Sequence, residues 1–197
     1  MHKFSSTTIA IVLFAIIINV RAEYKKLELT ILSAPAIDIT TVDISPMPIM
    51  NPGQAFLTFV ANLKRPIKTI QTTLKINRAV SGINLPIRCY KIDGLDVGSC
   101  TYTDLCRVLK TMLPSFKPDS CPKAMAQYGI DCNCPFNIPA GHLSIVNEKL
   151  EIPDAQSSIA NFMATGDFSI QLDTQDAVGS YASIIIKFTV KSHKPSG

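Results

Sequence analysis

Residues 128–141 read Tyr-Gly-Ile-Asp-Cys-Asn-Cys-Pro-Phe-Asn-Ile-Pro-Ala-Gly, and two cysteines in this stretch, Cys132 and Cys134, constrain what surrounds them. One residue separates them, and a bridge between sulfurs that close in sequence is strained. They therefore need two different partners. The remaining cysteines are Cys89, Cys100, Cys106 and Cys121, so all six fall in one window, 89–134. The three histidines lie outside it, at positions 2, 142 and 193. A zinc reading of Cys121, Cys132 and Cys134 thus lacks the accompanying imidazole, and no metal ligand is expected. An even number of cysteines points instead to disulfides. Six cysteines allow fifteen pairings. Local pairing favours Cys89–Cys100, then Cys121–Cys132 nested inside Cys106–Cys134. Each closed loop of that size contributes roughly 3 kcal/mol.

Disulfides require an oxidising compartment, and the N-terminus agrees. Met1-His2-Lys3 is a short basic start, Ile9–Ile18 (IAIVLFAIII) is wholly apolar, and Val20-Arg21-Ala22 supplies a cleavage site. Residues 1–22 read as a secretory signal peptide, with Glu23 as the first mature residue. The apolar stretch is about half of the ~20 residues that a membrane span needs. Residues 23–197 are then expected to form a single domain with its core at about 37–190.

Composition narrows the function. The chain of 197 residues is 47% hydrophobic and 17% charged, which is globular rather than disordered. Its net charge of +4 falls to +2 without the signal, and no run of like charges marks a nucleic-acid partner. His142 is the only histidine in the body of the chain. No G-x-S-x-G elbow is present. Asp167, Asp173 and Asp176 cluster near an expected hairpin and read as turn acids rather than a glycosidase pair. No catalytic residue, cofactor or enzymatic activity is therefore expected.

Outside the cysteine window the pattern is β. Ile37, Ile39, Val42 and Ile44 alternate with a slip at Thr40-Thr41 that predicts a bulge. Pro46, Pro48 and Pro52-Gly53 are expected to end that strand. Ala55–Val60 reads as a second strand. Ile70, Thr72, Leu74 and Ile76 share one face of a third, with Gln71, Lys75 and Asn77 on the other. Ile83, Leu85 and Ile87 alternate into Cys89. Phe168, Ile170 and Leu172 alternate again, then a turn-rich stretch from Asp173 to Ser180 leads to Ala182, Ile184, Ile186, Phe188 and Val190, the second arm of a hairpin. Such spacing predicts a two-sheet antiparallel sandwich. Asp104–Leu113 carries Leu105, Val108, Leu109 and Met112 at helical spacing, with Thr103 or Asp104 as cap and Pro114 as stop. Ile159, Phe162 and Met163 suggest a second helical turn.

The segments GSCTYTDLC (Gly98–Cys106), RVLKTMLP (Arg107–Pro114), Cys121-Pro122 and Tyr128–Gly141 resemble the signature of the ganglioside activator family, in the ML lipid-recognition superfamily. VSGINLPIRC (Val80–Cys89), Ile152–Asp154 and Thr165–Ile170 are similar to its flanking segments. The resemblance spans roughly Ile37 to Val190. It implies an immunoglobulin-like antiparallel β-cup around a large apolar cavity, with one or two short helical turns and the disulfide pairing given above. It implies a non-catalytic protein that lifts glycolipid from membranes and presents it to a lysosomal glycosidase. The alternative is a secreted carrier of small hydrophobic ligands, or a lipid pattern-recognition protein. The chain departs from the family in three places. No Cys precedes Cys89, and Ser180-Tyr181-Ala182 stand near the family's last-strand cysteine. Asn84 occupies the tip of the Val80–Leu85 loop where the family has Trp. No Asn-x-Ser/Thr sequon exists.

The candidate rim of this cup comprises Val80 and Ile83 at the loop tip, Val108, Leu109, Met112 and Leu113 in the expected helix, and Ile159, Phe162 and Met163 in the later loop. These would touch a bilayer while Lys110 and Lys117 stay among the headgroups. The expected partners are thus a glycolipid or other lipid, a transient membrane surface and a lysosomal glycosidase. The expected location is the secretory pathway, ending in the lysosome or outside the cell.

Overall fold

Strand pairing in the computed structural model divides the chain between two sheets and a small hairpin. The structure describes residues 23–92, 94–104, 106, 121, 123–130, 132–135, 137–152 and 165–192. The larger sheet contains β1 (Glu28–Ser33), β12 (Gly179–Ser192), β11 (Gly166–Asp176), β5 (Gln71–Val80) and β6 (Ile83–Ile87), in that order. Two short strands attach to it, β3 (Ile49–Asn51) on β12 and β9 (Thr101–Tyr102) on β5. The smaller sheet is β10 (Gly141–Ile152), β4 (Gly53–Leu63) and β2 (Ile37–Ser45). Strands β7 (Cys89–Ile92) and β8 (Leu95–Gly98) form the separate hairpin. All pairings are antiparallel except β3 with β12. The all-β, two-sheet expectation is borne out.

Period-2 alternation decides which side chains face inward. Residues paired directly across antiparallel strands share a face. In the larger sheet Leu74 pairs with Leu172 and Leu172 with Ile184, while Ile76 pairs with Ile170 and Ile170 with Ile186. Their opposite face carries Lys75, Gln171, Asp173 and Ser183, where Ser183 Oγ donates to Asp173 at 2.5 Å and Lys75 Nζ lies 3.5 Å from it. That face meets water. In the smaller sheet the inward row runs Ala61–Leu143–Ile39 and Phe59–Ile145–Val42. The slip in β2 is a bulge between Ile39 and Thr41, as the pattern predicts.

Several elements differ from the sequence reading. The proline-rich segment does more than end β2. It contains β3, which crosses over and places buried Ile49 against Phe188 and Val190. The stretch from Asp173 to Ser180 is mostly strand, because β11 runs to Asp176 and β12 starts at Gly179, leaving Ala177-Val178 as the turn. Strands β1, β7, β8, β9 and β10 had no counterpart in the pattern. In β10 the alternation Leu143, Ile145 breaks at a second bulge between Ile145 and Glu148 and resumes at Leu150 and Ile152. The expected helix from Asp104 is described only at its start, where Asp104 accepts the Cys106 amide at 2.9 Å, the hydrogen bond of an N-cap. A short helix, α1 (Lys123–Ala126), follows Pro122 instead. It ends at Gly129, whose φ of 72° suits a left-handed stop and whose amide donates to the Ala126 carbonyl at 3.0 Å.

The three disulfides are Cys89–Cys100, Cys106–Cys134 and Cys121–Cys132. Cys106, Cys132 and Ile130 form a small buried cluster with Tyr128 and Ile138 packed on it. Tyr128 fastens this cluster to the edge of β10, because its hydroxyl donates to the Ser144 carbonyl and accepts the Ser144 amide, at 2.9 and 2.8 Å. Gly98, at φ 105°, permits the close approach that the first bridge needs. A Cβ there would lie 2.2 Å from the Arg88 carbonyl.

The region where the family resemblance implies a further disulfide is held differently. β1 pairs with β12 from Glu28 to Ser33. Buried Tyr181 donates its hydroxyl to the Arg65 carbonyl at 2.8 Å, and the Arg65 guanidinium sits 5.1 Å from its ring. Arg65 also grips Asp176 with two hydrogen bonds, of 2.8 and 3.0 Å, and Asp176 accepts the amides of Val178 and Gly179. The hydrogen bond from Arg65 is the main reason that the Asp176 carboxyl is held below its ordinary range. A carboxyl with a depressed folded-state pKa stabilises the fold above its unfolded value of about 3.9, and that contribution disappears as pH falls through the folded value. Asp176→Asn is therefore expected to lower the melting temperature at pH 7 and at pH 5. The gap to the unmodified protein should begin to narrow as pH falls below the unfolded value of about 3.9, as thermal melts across the pH range will show.

Candidate functional site

Two buried clusters occupy the interior between the sheets, and a row of apolar side chains against them is only half-buried. In the first, at one end, Ala61, Leu63, Leu143, Ile145, Tyr181 and Ala182 are all at most 8% exposed. Phe168, fully buried, stacks on Phe188 with ring centroids 5.5 Å apart and marks the other end of the larger sheet. Between these ends lie Leu57, Phe59, Ile170, Leu172, Ile184 and Ile186. All six occupy inward registers, and all six are only half-buried. Mid-strand inward positions are the best buried sites of a filled sandwich, whose interior is packed to crystal-like density. Here Leu74 and Ile76 in the same inward rows are buried, and Ile170, Leu172 and Ile186, with Ile44 and Ile152 of the smaller sheet, pack against the cluster they form with Phe168. These half-buried apolar side chains are the candidate lining for an acyl chain, which such a surface suits better than water.

Two candidate rim residues are described, and the fold brings them together. Val80 and Ile83 pair across the β5–β6 hairpin. Ile83 is 64% exposed and Leu85, two residues along the same face, is 48% exposed. Arg78 lies on that face too, 5.9 Å above the Phe168 ring, and donates to the Thr165 carbonyl at 2.7 Å. Val80 also lines a depression of about 120 Å³ with Gly166, Val190 and the ion pair Glu23–Lys191. That is below the roughly 300 Å³ at which ligand pockets begin. Val108, Leu109, Met112, Leu113, Ile159, Phe162 and Met163, with Lys110 and Lys117, lie outside the described residues, as does the segment 1–22. Sequence reasoning missed the exposed apolar residues Ile31 and Leu32 on β1 and Val146 in the β10 bulge. The alternation Leu29, Ile31 in a six-residue strand was the available signal for β1.

The acids considered for catalysis serve local structure. Asp167 accepts the Thr189 hydroxyl at 2.6 Å, and that hydroxyl oxygen accepts the Tyr24 amide at 2.8 Å. Asp173 is held below its ordinary range chiefly by the Ser183 hydroxyl, and Asp176 belongs to the Arg65 latch. His142 is exposed. Asp104, Cys106 and Cys134 bring potential metal-binding atoms within 4.8 Å of one another, but both sulfurs are joined in a disulfide.

The chain is similar to known proteins in keeping with these features. It is 29% identical over 141 residues to a protein named ganglioside GM2 activator from Macaca fascicularis, covering 70% of this chain and 67% of that one. It is 28% identical over 138 residues to the protein of the same name from Mus musculus, covering 70% and 66%. The resemblance read from the cysteine window is thereby borne out. No protein-family model matches the chain. A solved structure described as a Niemann-Pick type C2 protein from Japanese carpenter ant aligns with 83% of this chain and 99% of its own, at 8% identity and a TM-score of 0.39, too loose a likeness to bear on the fold.

The packing contrast has a direct test. Ala61 is 1% exposed, so Ala61→Leu should overpack the floor and cost roughly 1–3 kcal/mol. Ile186→Phe adds bulk in the cleft and should cost at most about 0.5 kcal/mol. Denaturant unfolding of both variants measures the difference. Equal losses would mean that the interior is filled.

Proposed function

We propose that this protein is a non-catalytic lipid-binding and transfer protein of the secretory pathway. It would take up glycolipid of the ganglioside type from membranes and present it to a lysosomal glycosidase. The single observation that carries this reading is the half-buried apolar mid-section between two sheets, in a chain similar to proteins named ganglioside GM2 activator. The physical basis is burial. A chain of roughly fourteen methylenes, at about 0.8 kcal/mol each, gains ~11 kcal/mol before ordering costs. No charged catalytic apparatus is required for that.

Extraction needs contact with the bilayer. The described part of the rim offers Ile83 and Leu85, exposed on one face of the β5–β6 hairpin, with Arg78 on the same face. They flank Asn84, which stands where the family resemblance implies a Trp. Apolar side chains that enter the interface beside a cation at headgroup level form a weak, reversible anchor. The later-loop residues Phe162 and Met163 belong to the same proposed lip. A secreted carrier of small hydrophobic ligands is the second reading, favoured by the absence of any glycosylation sequon.

The experiment is transfer of a fluorescent ganglioside between anionic vesicles, followed at pH 5 and pH 7. The protein should move the lipid intact, and faster at pH 5, where protonated carboxylates make the chain more cationic. Ile83→Ser with Leu85→Ser should slow transfer about tenfold and leave the melting temperature within ~3 °C, since both side chains are exposed. Phe162→Ser with Met163→Ser should act in the same direction. Lipid hydrolysis by the purified protein would overturn the non-catalytic reading. Uptake of small hydrophobic probes without vesicle-to-vesicle transfer would favour the carrier.

A further inference from the structure

The bulge in β10 has a chemical consequence at Glu148. Up to Ile145 the strand pairs with β4 so that Ile145 faces Phe59. The register then slips by one residue, and Glu148 pairs with Leu57, which pairs in turn with Ile44. Leu57 and Ile44 face inward, so Glu148 shares their face. Asn147 takes up the extra residue at φ 54°, and its amide donates to Thr58 Oγ1 at 3.2 Å. Burial follows the same parity. Glu148, Leu150 and Ile152 are half-buried, whereas Lys149 and Glu151 between them are exposed. Those two form an ion pair with each other at 2.9 Å on the outward face. Lys149 is therefore not the counter-ion of Glu148.

The inward residues flanking Glu148 on its own and neighbouring strands are Ile145, Leu150, Leu57, Phe59, Val42 and Ile44, every one apolar. Among the described residues none hydrogen-bonds or ion-pairs with its carboxylate. The carboxylate stands four residues, roughly 14 Å, along β10 from Ile152. It lies on the edge strand of its sheet. Water reaches it there as long as the cleft is empty. A chain laid in the cleft would strip that water, and an unpartnered carboxylate is then costly. The cost vanishes when the ligand itself supplies a donor.

We propose that Glu148 is the polar contact of the lipid site, and that it selects lipids carrying a hydrogen-bond donor, an amine or a hydroxyl, where the chain passes β10. It works against lipids with a carboxylate there, because like charges would be brought together in an apolar setting. This rests on the lipid-binding reading. It goes beyond it in naming one residue and one ligand chemistry.

The test is displacement of the neutral dye N-phenyl-1-naphthylamine from the full-length mature protein at pH 7 by dodecylamine, 1-dodecanol and dodecanoate, each below its micelle concentration. The amine should compete about tenfold better than the carboxylate, with the alcohol between them. Glu148→Gln should shrink the gap between amine and carboxylate to less than about threefold. Glu148→Leu should remove the advantage of the alcohol over the carboxylate while dye uptake persists. Lys149→Gln, which changes net charge on the same strand but the opposite face, should leave all three ratios unchanged. Ratios unaltered in both Glu148 variants, with dye still bound, would overturn the assignment of Glu148 and leave lipid binding standing. A shift of similar size and opposite sign in Lys149→Gln would overturn it too, by showing an effect of overall charge. Failure of the unmodified protein to take up the dye would overturn the lipid-binding reading and this inference with it.

Discussion

The smaller sheet carries a bulge on each of its outer strands, and the two lie close to the same level of the strand between them. In β2 the slip falls between Ile39 and Thr41, beside Ala61 and Val60. In β10 it falls between Ile145 and Glu148, beside Phe59 and Leu57. A bulge bends its strand and increases the local twist. Two at neighbouring levels bend the sheet as a whole. The half-buried inward residues Phe59, Leu57, Val42 and Ile44 lie at or next to that level. The bulges also return Val42, Leu150 and Ile152 to the inward face after a break in period, without which those residues would point to water. The same distortion thus keeps the inward face mostly apolar on both sides of each bulge.

An open interior weakens a small β domain, because fewer apolar contacts offset chain entropy. The chain concentrates its other restraints at the ends. Three disulfides staple the segment around Cys89–Cys134, and Tyr128 joins that segment to the edge of β10. The Arg65–Asp176–Tyr181 latch ties the β11–β12 turn to the segment between β4 and β5. β3 crosses from the smaller sheet to β12 and fills the other end with Ile49. Rigid ends around a loose centre suit a protein whose interior must accept and release a flexible chain. The disulfides and the Arg65–Asp176–Tyr181 latch are covalent or polar restraints, so they do not depend on what fills the apolar interior.

Much of the fold was legible because one face of each sheet meets water. The alternations in β2, β5, β11 and β12 follow directly from that two-sided environment. β10 was not legible as a strand, since its bulge breaks the period just where Val146, Asn147 and Glu148 depart from it. The turn between β11 and β12 was overdrawn for a related reason. Asp173, Thr174, Gln175 and Asp176 look like turn residues, yet Asp173 accepts the Ser183 hydroxyl, the Thr174 hydroxyl bonds the Ala182 backbone, Gln175 donates to Gln71 and Asp176 is gripped by Arg65. Of the candidate rim, Val80 and Ile83 were named as members of one loop, and only the structure pairs them across the Ser81-Gly82 turn of a hairpin.

By itself the sequence determined the chemistry of this protein's walls. Apolar residues at period 2 dictate two sheets, and six clustered cysteines dictate a stapled segment. The tertiary structure decided how deeply each wall residue is buried and which face Glu148 takes. Leu57 or Ile186 would read in sequence as part of a solid core, and only the structure shows them to be half-buried. Glu148 reads in sequence as one of several surface charges near Lys149 and Glu151. Its inward direction depends on a one-residue register shift, set by pairing with a strand some ninety residues away, which no local pattern encodes.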